Sequence, residues 1–190
     1  MARFDFDGDS LSLDFLNTVS GMRGHEPKEK LAHWADLAEW AKEAGLVRSA
    51  PRGSDADLRF AALLREALHD VITAAIEERD PPPAALAQVN AWFADALAHR
   101  HLKPSGRGRF ALEFERDENP LWFLRPVAVE AADLLQRHID LVRICGESEV
   151  GRCGWLFLDK TRNHSRRYCS MTDCGNRAKQ RRFQQRKRVL

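Results

Sequence analysis

The chain has 190 residues, 44% of them hydrophobic, which suits one domain or one domain with a small appendix. Its net charge of +2 is unevenly distributed, because eleven Lys and Arg residues stand against two Asp residues from Cys153 onwards. That end carries +9 and the rest about −7, and such a split favours a polyanionic partner. The first residues lack the pattern of an export signal, and no window of about 18 residues is wholly apolar. We therefore expect a cytoplasmic protein that does not enter a membrane.

Most of residues 1–144 show the three-and-four spacing of apolar residues that is typical of amphipathic helices. This spacing predicts four helices: Lys28 to Gly45, Ser54 to the DPPP sequence at 80–83, Leu86 to about His99, and Pro126 towards Cys145. Ser54 and Asp57 have the spacing of a capping box at the start of the second helix.

A small sheet is predicted between the third and fourth helices. The sequence RFALEFER, residues 109–116, alternates apolar and polar residues as a half-buried strand does. The sequence LWFLRP, residues 121–126, is expected to supply its antiparallel partner. The predicted fold class is therefore α+β and mainly helical, with a helical N-terminal domain that carries a small antiparallel sheet.

Residues 1–144 contain no glycine-rich phosphate loop, no nucleophile elbow and no HExxH sequence, so they do not indicate an enzyme. Asp14 and Asn17 are polar residues within the apolar stretch LSLDFLNTV. We expect them to serve a turn or a helix cap.

All four cysteines lie in the last quarter of the chain, at Cys145, Cys153, Cys169 and Cys174. Two pairs separated by about fifteen residues suit a tetrahedral Zn²⁺ site, in which the segment between the pairs folds back as a hairpin. Zinc would stabilise a region too small to bury a core of its own. Buried structural cysteines and redox-active thiols are the alternatives. Because the gap from Cys145 to Cys153 is wide, His164 is an alternative fourth ligand.

The sequence after Cys174, GNRAKQRRFQQRKR, favours a helix that is polar on all sides apart from Phe183. A zinc site at its N-terminus would anchor this helix, and its cations would repel one another unless a polyanion were bound. The segment GN after Cys174 is expected to form a turn, although Asn176 and Arg177 are also of the types that read bases.

Two sequences resemble a known family. GDSLSLDFLNTV near the start and RRYCSMTDCGNRAKQRR near the end are similar to the CGNR zinc-finger family with an N-terminal ABATE domain, described as stress-induced transcription regulators. The residues that match the motif of this family are Cys153, Cys169, Cys174, Gly175, Asn176 and Arg177. Tyr168 replaces its usual Trp, and the first cysteine pair is wider than expected. The resemblance implies an ABATE-like domain over 1–144 and a CGNR finger with a treble-clef-like hairpin and helix over 145–190.

The leading hypothesis is a zinc-dependent, DNA-binding transcription regulator whose N-terminal domain senses a small-molecule effector or forms a homodimer. The predicted nucleic-acid-binding residues are basic side chains around and after the second cysteine pair: Arg166, Arg167, Arg177, Lys179, Arg181, Arg182, Arg186, Lys187 and Arg188. RNA binding through the same surface, with Phe183, Tyr168 or Trp155 stacking on bases, is the second hypothesis. The third is a zinc-stabilised module that docks on an acidic protein. An enzyme is disfavoured, because four thiolates leave no open coordination position.

Overall fold

The computed structural model describes residues 3–189, with the side chains of Arg188 and Val189 outside that description. The helices are α1 (Leu11–Leu16), α2 (Trp34–Glu43), α3 (Asp55–Ile76), α4 (Pro83–Ala98), α5 (Arg125–Arg137) and α6 (Asn176–Val189). The strands are β1 (Val19–Ser20), β2 (Lys28–Glu29), β3 (Arg100–Gly106), β4 (Arg109–Phe114), β5 (Val142–Ile144) and β6 (Leu156–Leu158). They pair as three antiparallel two-stranded ladders, β1 with β2, β3 with β4, and β5 with β6. The mainly helical α+β fold class is confirmed.

The chain forms two compact units, and each is discontinuous in sequence. Residues 3–4 and 31–139 make up the first, called here the helical unit, and residues 5–30 and 140–189 the second, called the finger unit. These units differ from the predicted division into 1–144 and 145–190. The physical reason is that residues 8–21 form hydrogen bonds with residues 154–158, so the start of the chain lies with its end.

The core of the helical unit is formed by α2 to α5. Fully buried apolar side chains recur on α3, where Leu64, Leu68 and Ile72 lie on one face, as the predicted periodicity requires. The capping box at the start of α3 is present, with Ser54 and Asp57 bonded reciprocally. Among the described residues, no helix is long and apolar enough to cross a membrane.

Two predicted element boundaries in the helical unit are wrong. The first helix begins at Trp34 instead of Lys28, because the Asp36 carboxylate accepts hydrogen bonds from the backbone N–H groups of Ala32 and His33. The fourth helix ends at Arg137, and Val142 pairs with Leu158 in a β-ladder instead of extending the helix towards Cys145.

The predicted partner of the RFALEFER strand is also wrong. The strand β4 pairs with β3, so that Leu102 lies opposite Leu112. Arg107 and Gly108 both have positive φ, at 49° and 73°, as a tight two-residue hairpin turn requires. This turn makes the local pairing possible. The LWFLRP sequence instead forms a 3₁₀ turn, Trp122–Leu124, that leads into α5.

Candidate metal centre and basic helix

The four cysteines converge in the core of the finger unit. Cys145 follows β5, and Cys153 precedes β6. Cys169 precedes a π-helical turn, Met171–Gly175, which contains Cys174 and leads into α6. All four side chains are buried, and their Sγ atoms lie within 4.8 Å of one another. The backbone N–H of Cys145 donates to the carbonyl of Trp155 at 2.9 Å, which joins the first two cysteines across the hairpin.

The distances between the sulfurs fit a metal ion. The Sγ atoms of Cys153 and Cys169 are 3.8 Å apart, and those of Cys169 and Cys174 are 3.6 Å apart. A tetrahedral ion with metal–sulfur bonds of about 2.3 Å requires sulfur pairs about 3.8 Å apart. The four cysteines are therefore positioned to bind a metal ion.

His164, the alternative fourth ligand, lies outside this group. Its Nδ1 is 3.2 Å from the backbone carbonyl of Asp159, at the outer end of the turn between the cysteine pairs. Within residues 3–187, the group of side chains with metal-ligand geometry contains Cys145 and not His164. The wide gap after Cys145 does not prevent ligation, because the antiparallel pairing of β5 with β6 brings the first two cysteines together.

Contacts among the four sulfurs shift the pKa values of the cysteine thiols strongly. The hydrogen bond between Cys145 and Cys153 lowers the pKa of Cys145 far below its usual value and raises that of Cys153. Hydrogen bonds from the same two residues raise the pKa of Cys169. Four thiolates this close cannot all be ionised without a cation, and a divalent metal supplies that charge.

The hairpin predicted between the cysteine pairs is wrong in its pairing. The strand β6 lies between the pairs, but it pairs with β5, which precedes Cys145, instead of with residues beyond the turn at residues 160–165. Asp159, fully buried, orders that turn by accepting hydrogen bonds from Thr161 Oγ1 at 2.6 Å and from the backbone N–H of Arg166 at 2.9 Å. Burial tends to raise the pKa of Asp159, but the hydrogen bonds from Thr161 and Arg166 lower it overall.

The start of the chain completes the finger unit through polar bonds to β6. The Asn17 amide, 2% exposed, donates to the Leu156 carbonyl at 2.9 Å and accepts from the Leu156 N–H at 3.1 Å. The Trp155 indole N–H donates to the carbonyl of Val19 at 2.9 Å. Asp14 has the expected turn role, because it accepts from the backbone N–H of Gly8. Asn17 lies at the C-cap of α1, as expected, and its side chain also bonds to the backbone of β6, a role that its local sequence did not indicate.

The GN segment, expected to form a turn, instead follows a helical path: Gly175 ends the π-helical turn, and Asn176 begins α6 with φ −67° and ψ −42°. A Cβ atom on Gly175 would lie 2.9 Å from the Met171 sulfur, so only glycine fits without displacing that side chain. The Asn176 amide donates to the Thr172 carbonyl at 2.9 Å and so closes the turn at the start of α6.

Two of the predicted nucleic-acid-binding arginines have internal partners. Arg181 forms a bidentate ion pair with Glu147, with both N–O distances at 2.8 Å and Glu147 fully buried. These hydrogen bonds raise the pKa of Arg181. Arg166 pairs with Asp9, donates to three backbone carbonyls, and lies 4.5 Å above the Phe157 ring.

Arg177 and Arg182 are exposed to solvent, and each also has a partner within the finger unit. Arg177 pairs with Asp173 and lies 3.3 Å from the Cys174 sulfur. Burial lowers the pKa of Arg177, but the negative charges of Cys174 and Asp173 raise it overall. Arg182 donates to the Tyr168 hydroxyl at 2.8 Å.

The other predicted cations lie on the surface of the finger unit. Lys179, Arg186 and Lys187 are exposed on α6, whereas Ala178 is buried in the same cluster as the cysteines. Lys187 lies over the ring of Phe183, which is 59% exposed. Arg167 is exposed beside Glu149, at 3.6 Å, and the side chain of Arg188 lies outside the described residues.

Comparison with known families finds two matches, one on either side of residue 140. A family model named ABATE, with the description "Putative stress-induced transcription regulator", matches residues 9–138, about two thirds of the chain. The chain belongs to the ABATE family. A second model, the CGNR zinc finger, matches residues 142–187. Both parts of the resemblance are thus confirmed. A comparison with curated protein sequences finds no match.

The ABATE match is not confined to the helical unit. Residues 9–30 belong to the ABATE match and lie in the finger unit of the structure. Sequence reasoning missed the structural roles of Asn17, in this region, and of Glu147, between the first two cysteines. An acidic residue between two cysteines of a basic finger was the available signal for Glu147, whereas nothing local indicates the partner of Asn17.

Proposed function

We propose that this ABATE protein is a zinc-dependent, DNA-binding transcription regulator. The observation that carries the proposal is the exposed cationic side of α6, formed by Lys179, Arg186 and Lys187, on a helix that begins at the cysteine cluster. Phosphate contacts from such a surface provide affinity for duplex DNA through counterion release. A cytosolic location belongs to the proposal, because thiolates stay reduced there.

The proposed metal is Zn²⁺. Four buried thiolates at tetrahedral spacing suit zinc, which has no redox chemistry of its own and is bound readily by sulfur. The ion would hold together the β5–β6 hairpin, the π-helical turn and the start of α6. With all four ligands from the protein, its role in the proposal is structural, and we propose binding and not catalysis.

Internal contacts narrow the set of cations that we propose to contact DNA. Arg166 and Arg181 have buried internal partners, so their removal would disturb the finger itself. Lys179, Arg186 and Lys187 carry the proposal, and the exposed Arg167, Arg177 and Arg182, each with a partner in the finger unit, are secondary candidates. Substituting the first three removes positive charge from the surface while leaving the bonds around the cysteines in place.

The experiment compares a triple variant, K179Q/R186Q/K187Q, with a matched control, K103Q/R107Q/R109Q, in the exposed β3–β4 hairpin. Both lose three positive charges. Binding to a random-sequence duplex pool is measured across a salt series, with the metal content of each protein quantified and the bound DNA sequenced. We expect the first variant to reduce the slope of log affinity against log salt by about 0.9 per lost phosphate contact. An equal loss in the control variant would contradict the proposal.

Single-stranded RNA is the second candidate, and Phe183 is the observation in its favour. An exposed aromatic ring among cations is a stacking platform for bases. Tyr168 and Trp155, the other proposed stacking residues, are buried at 9% and 8% exposure, so one ring remains of the three. Tighter binding of an RNA pool than of the duplex pool, lost in F183A, would favour RNA. Binding to neither pool would turn the search towards an acidic protein.

A further inference from the structure

The helical unit contains an apolar groove between α4 and α5. Its volume is about 550 Å³, within the range of about 300–1,000 Å³ that small-molecule sites occupy. The lining is mainly aliphatic and aromatic: Leu86, Val89, Phe93 and Leu97 from α4, and Val129 and Leu135 from α5. Leu86 and Leu97 remain 39% and 47% exposed, so the described part of the chain leaves this apolar surface open to solvent.

One cation lies at the end of this groove. Arg100, the first residue of β3, lines the groove, and its Nε atom is buried without a hydrogen-bond partner in the described structure. Its guanidinium group stacks 5.5 Å from the ring centroid of Phe114, which lies opposite Arg100 in the ladder. A buried N–H donor with no acceptor is costly, so this position favours an acceptor supplied from outside the chain.

The acidic side chain of the groove is already occupied. Asp133 pairs with Arg137 at 3.1 Å and with His138 at 3.8 Å, on the same helical segment. Arg100 therefore gives the groove a cationic end, and the remaining walls are mainly apolar, with Asn90, Asp133 and Gln136 among them. A ligand that complements both features has an apolar body and one anionic head group.

We propose that the groove binds a small amphipathic carboxylate, with the head group on Arg100 and the apolar body along α4 and α5. A guanidinium group accommodates a carboxylate with two parallel hydrogen bonds, which gives the head group a fixed orientation. The site lies wholly within the helical unit and does not depend on DNA binding by the finger.

Isothermal titration of the full-length, metal-loaded protein tests the site with three probes that share a ten-carbon tail: decanoate, 1-decanol and decyltrimethylammonium. We expect one decanoate per chain, bound about 10- to 100-fold more tightly than decanol, since the difference is a charge-assisted hydrogen-bonded pair with a partly buried guanidinium group. The cationic probe should bind least. Equal affinity for decanoate and decanol would overturn the proposal.

Variants locate the binding site. R100Q should reduce the affinity for decanoate to that for decanol, and R100K, which keeps the charge, should retain part of the preference. A132F places a ring in the groove and should abolish binding of both probes. R109Q, at the far end of the same hairpin, is the matched control and should change nothing.

Two results would overturn the assignment even if decanoate binds. One is unchanged decanoate binding in A132F or in R100Q, each shown to be folded by its thermal transition. The other is a dimer of the wild-type chain that A132F converts to a monomer in sedimentation, which would assign the groove to a second copy.

Discussion

The two units are stabilised by different means. The helical unit buries aliphatic side chains such as Leu64, Leu68 and Ile72 along a 22-residue helix, so the hydrophobic effect provides its stability. The finger unit has short strands, and cysteines make up half of the buried cluster at its metal centre. It depends on the metal and on buried polar pairs, which are directional and fail when one partner is lost. We therefore expect a substitution in one unit to lower the stability of that unit much more than the stability of the other.

Removal of the metal should have the largest effect. C169S eliminates one of four ligands, and structural zinc sites contribute about 10 kcal/mol or more to folding of small fingers. We expect the variant to lose stoichiometric metal and the finger unit to lose hydrogen-exchange protection, while α3 keeps its protection. Metal analysis and exchange mass spectrometry measure both effects, with S170A as the control. Stoichiometric metal in C169S would show that Cys169 is not a ligand.

Arg125 tests whether the helical unit also depends on one polar group. Its side chain is 1% exposed, pairs with Asp95 at 2.9 Å and Asp117 at 2.6 Å, and donates to the Glu115 carbonyl at 2.8 Å. R125M should lower the free energy of unfolding by about 3 kcal/mol, because it leaves partly buried acceptors without a donor. The exposed pair Arg137–Asp133 provides the control, and R137M should cost less than about 1 kcal/mol in the same urea titration.

Two acidic residues of the finger unit offer a matched pair. Glu147 is fully buried against Arg181, whereas Glu149 is 70% exposed beside Arg167. E147Q should destabilise the finger unit by about 2–3 kcal/mol, and E149Q by less than about 1 kcal/mol. Thermal unfolding of the metal-loaded proteins measures the difference. Equal effects would mean that the Glu147–Arg181 pair adds no stability beyond that of a surface contact.

Asn17 tests whether the start of the chain stabilises the finger. N17A removes two hydrogen bonds to Leu156 and leaves a buried N–H and carbonyl without partners, at a cost of about 1–3 kcal/mol. We expect a lower unfolding temperature of the finger unit and faster metal loss to a chelator. N163A, at an exposed position of the turn, should change neither quantity.

The smallest expected effect is a pH dependence of the helical unit. The hydrogen bond from Arg125 lowers the pKa of Asp117 below its usual 3.8. A carboxyl group with a lowered pKa in the folded state stabilises the protein above pH 3.8, and this contribution is lost as the pH falls through the lowered value. In D117N, the free energy of unfolding should therefore fall less steeply than in the wild type as the pH decreases below 4. D80N, at an exposed position, should keep the wild-type pH dependence.

The sequence predicted the features that depend on neighbouring residues. Apolar spacing located α3 and α4 nearly to their ends, and Ser54 with Asp57 marked a helix start, because each of these signals is contained within a few turns of helix. The choice of the four cysteines as a group also came from sequence, since thiols clustered in two pairs near one end of a chain are typical of a metal site.

The element errors share a cause. In a two-residue turn such as Arg107–Gly108, φ angles decide which strand pairs with β4, and the alternation of RFALEFER carries no information on its partner. Similarly, Val142 has the spacing of a helix and the pairing of a strand, because its contact with Leu158 outweighs the local preference.

By itself, the sequence determined the chemistry of this protein: four thiolates that can share one metal ion, a basic segment beside them, and amphipathic helices able to bury a core. Only the tertiary structure decided which cations remain exposed and available to a partner, and which segments of the chain complete the finger unit. Glu147 and Arg181 are 34 residues apart, and Asn17 and Leu156 are 139 apart. Pairs so distant in the chain form only when the fold brings them together, and their burial then separates the structural arginines from the cations left on the surface.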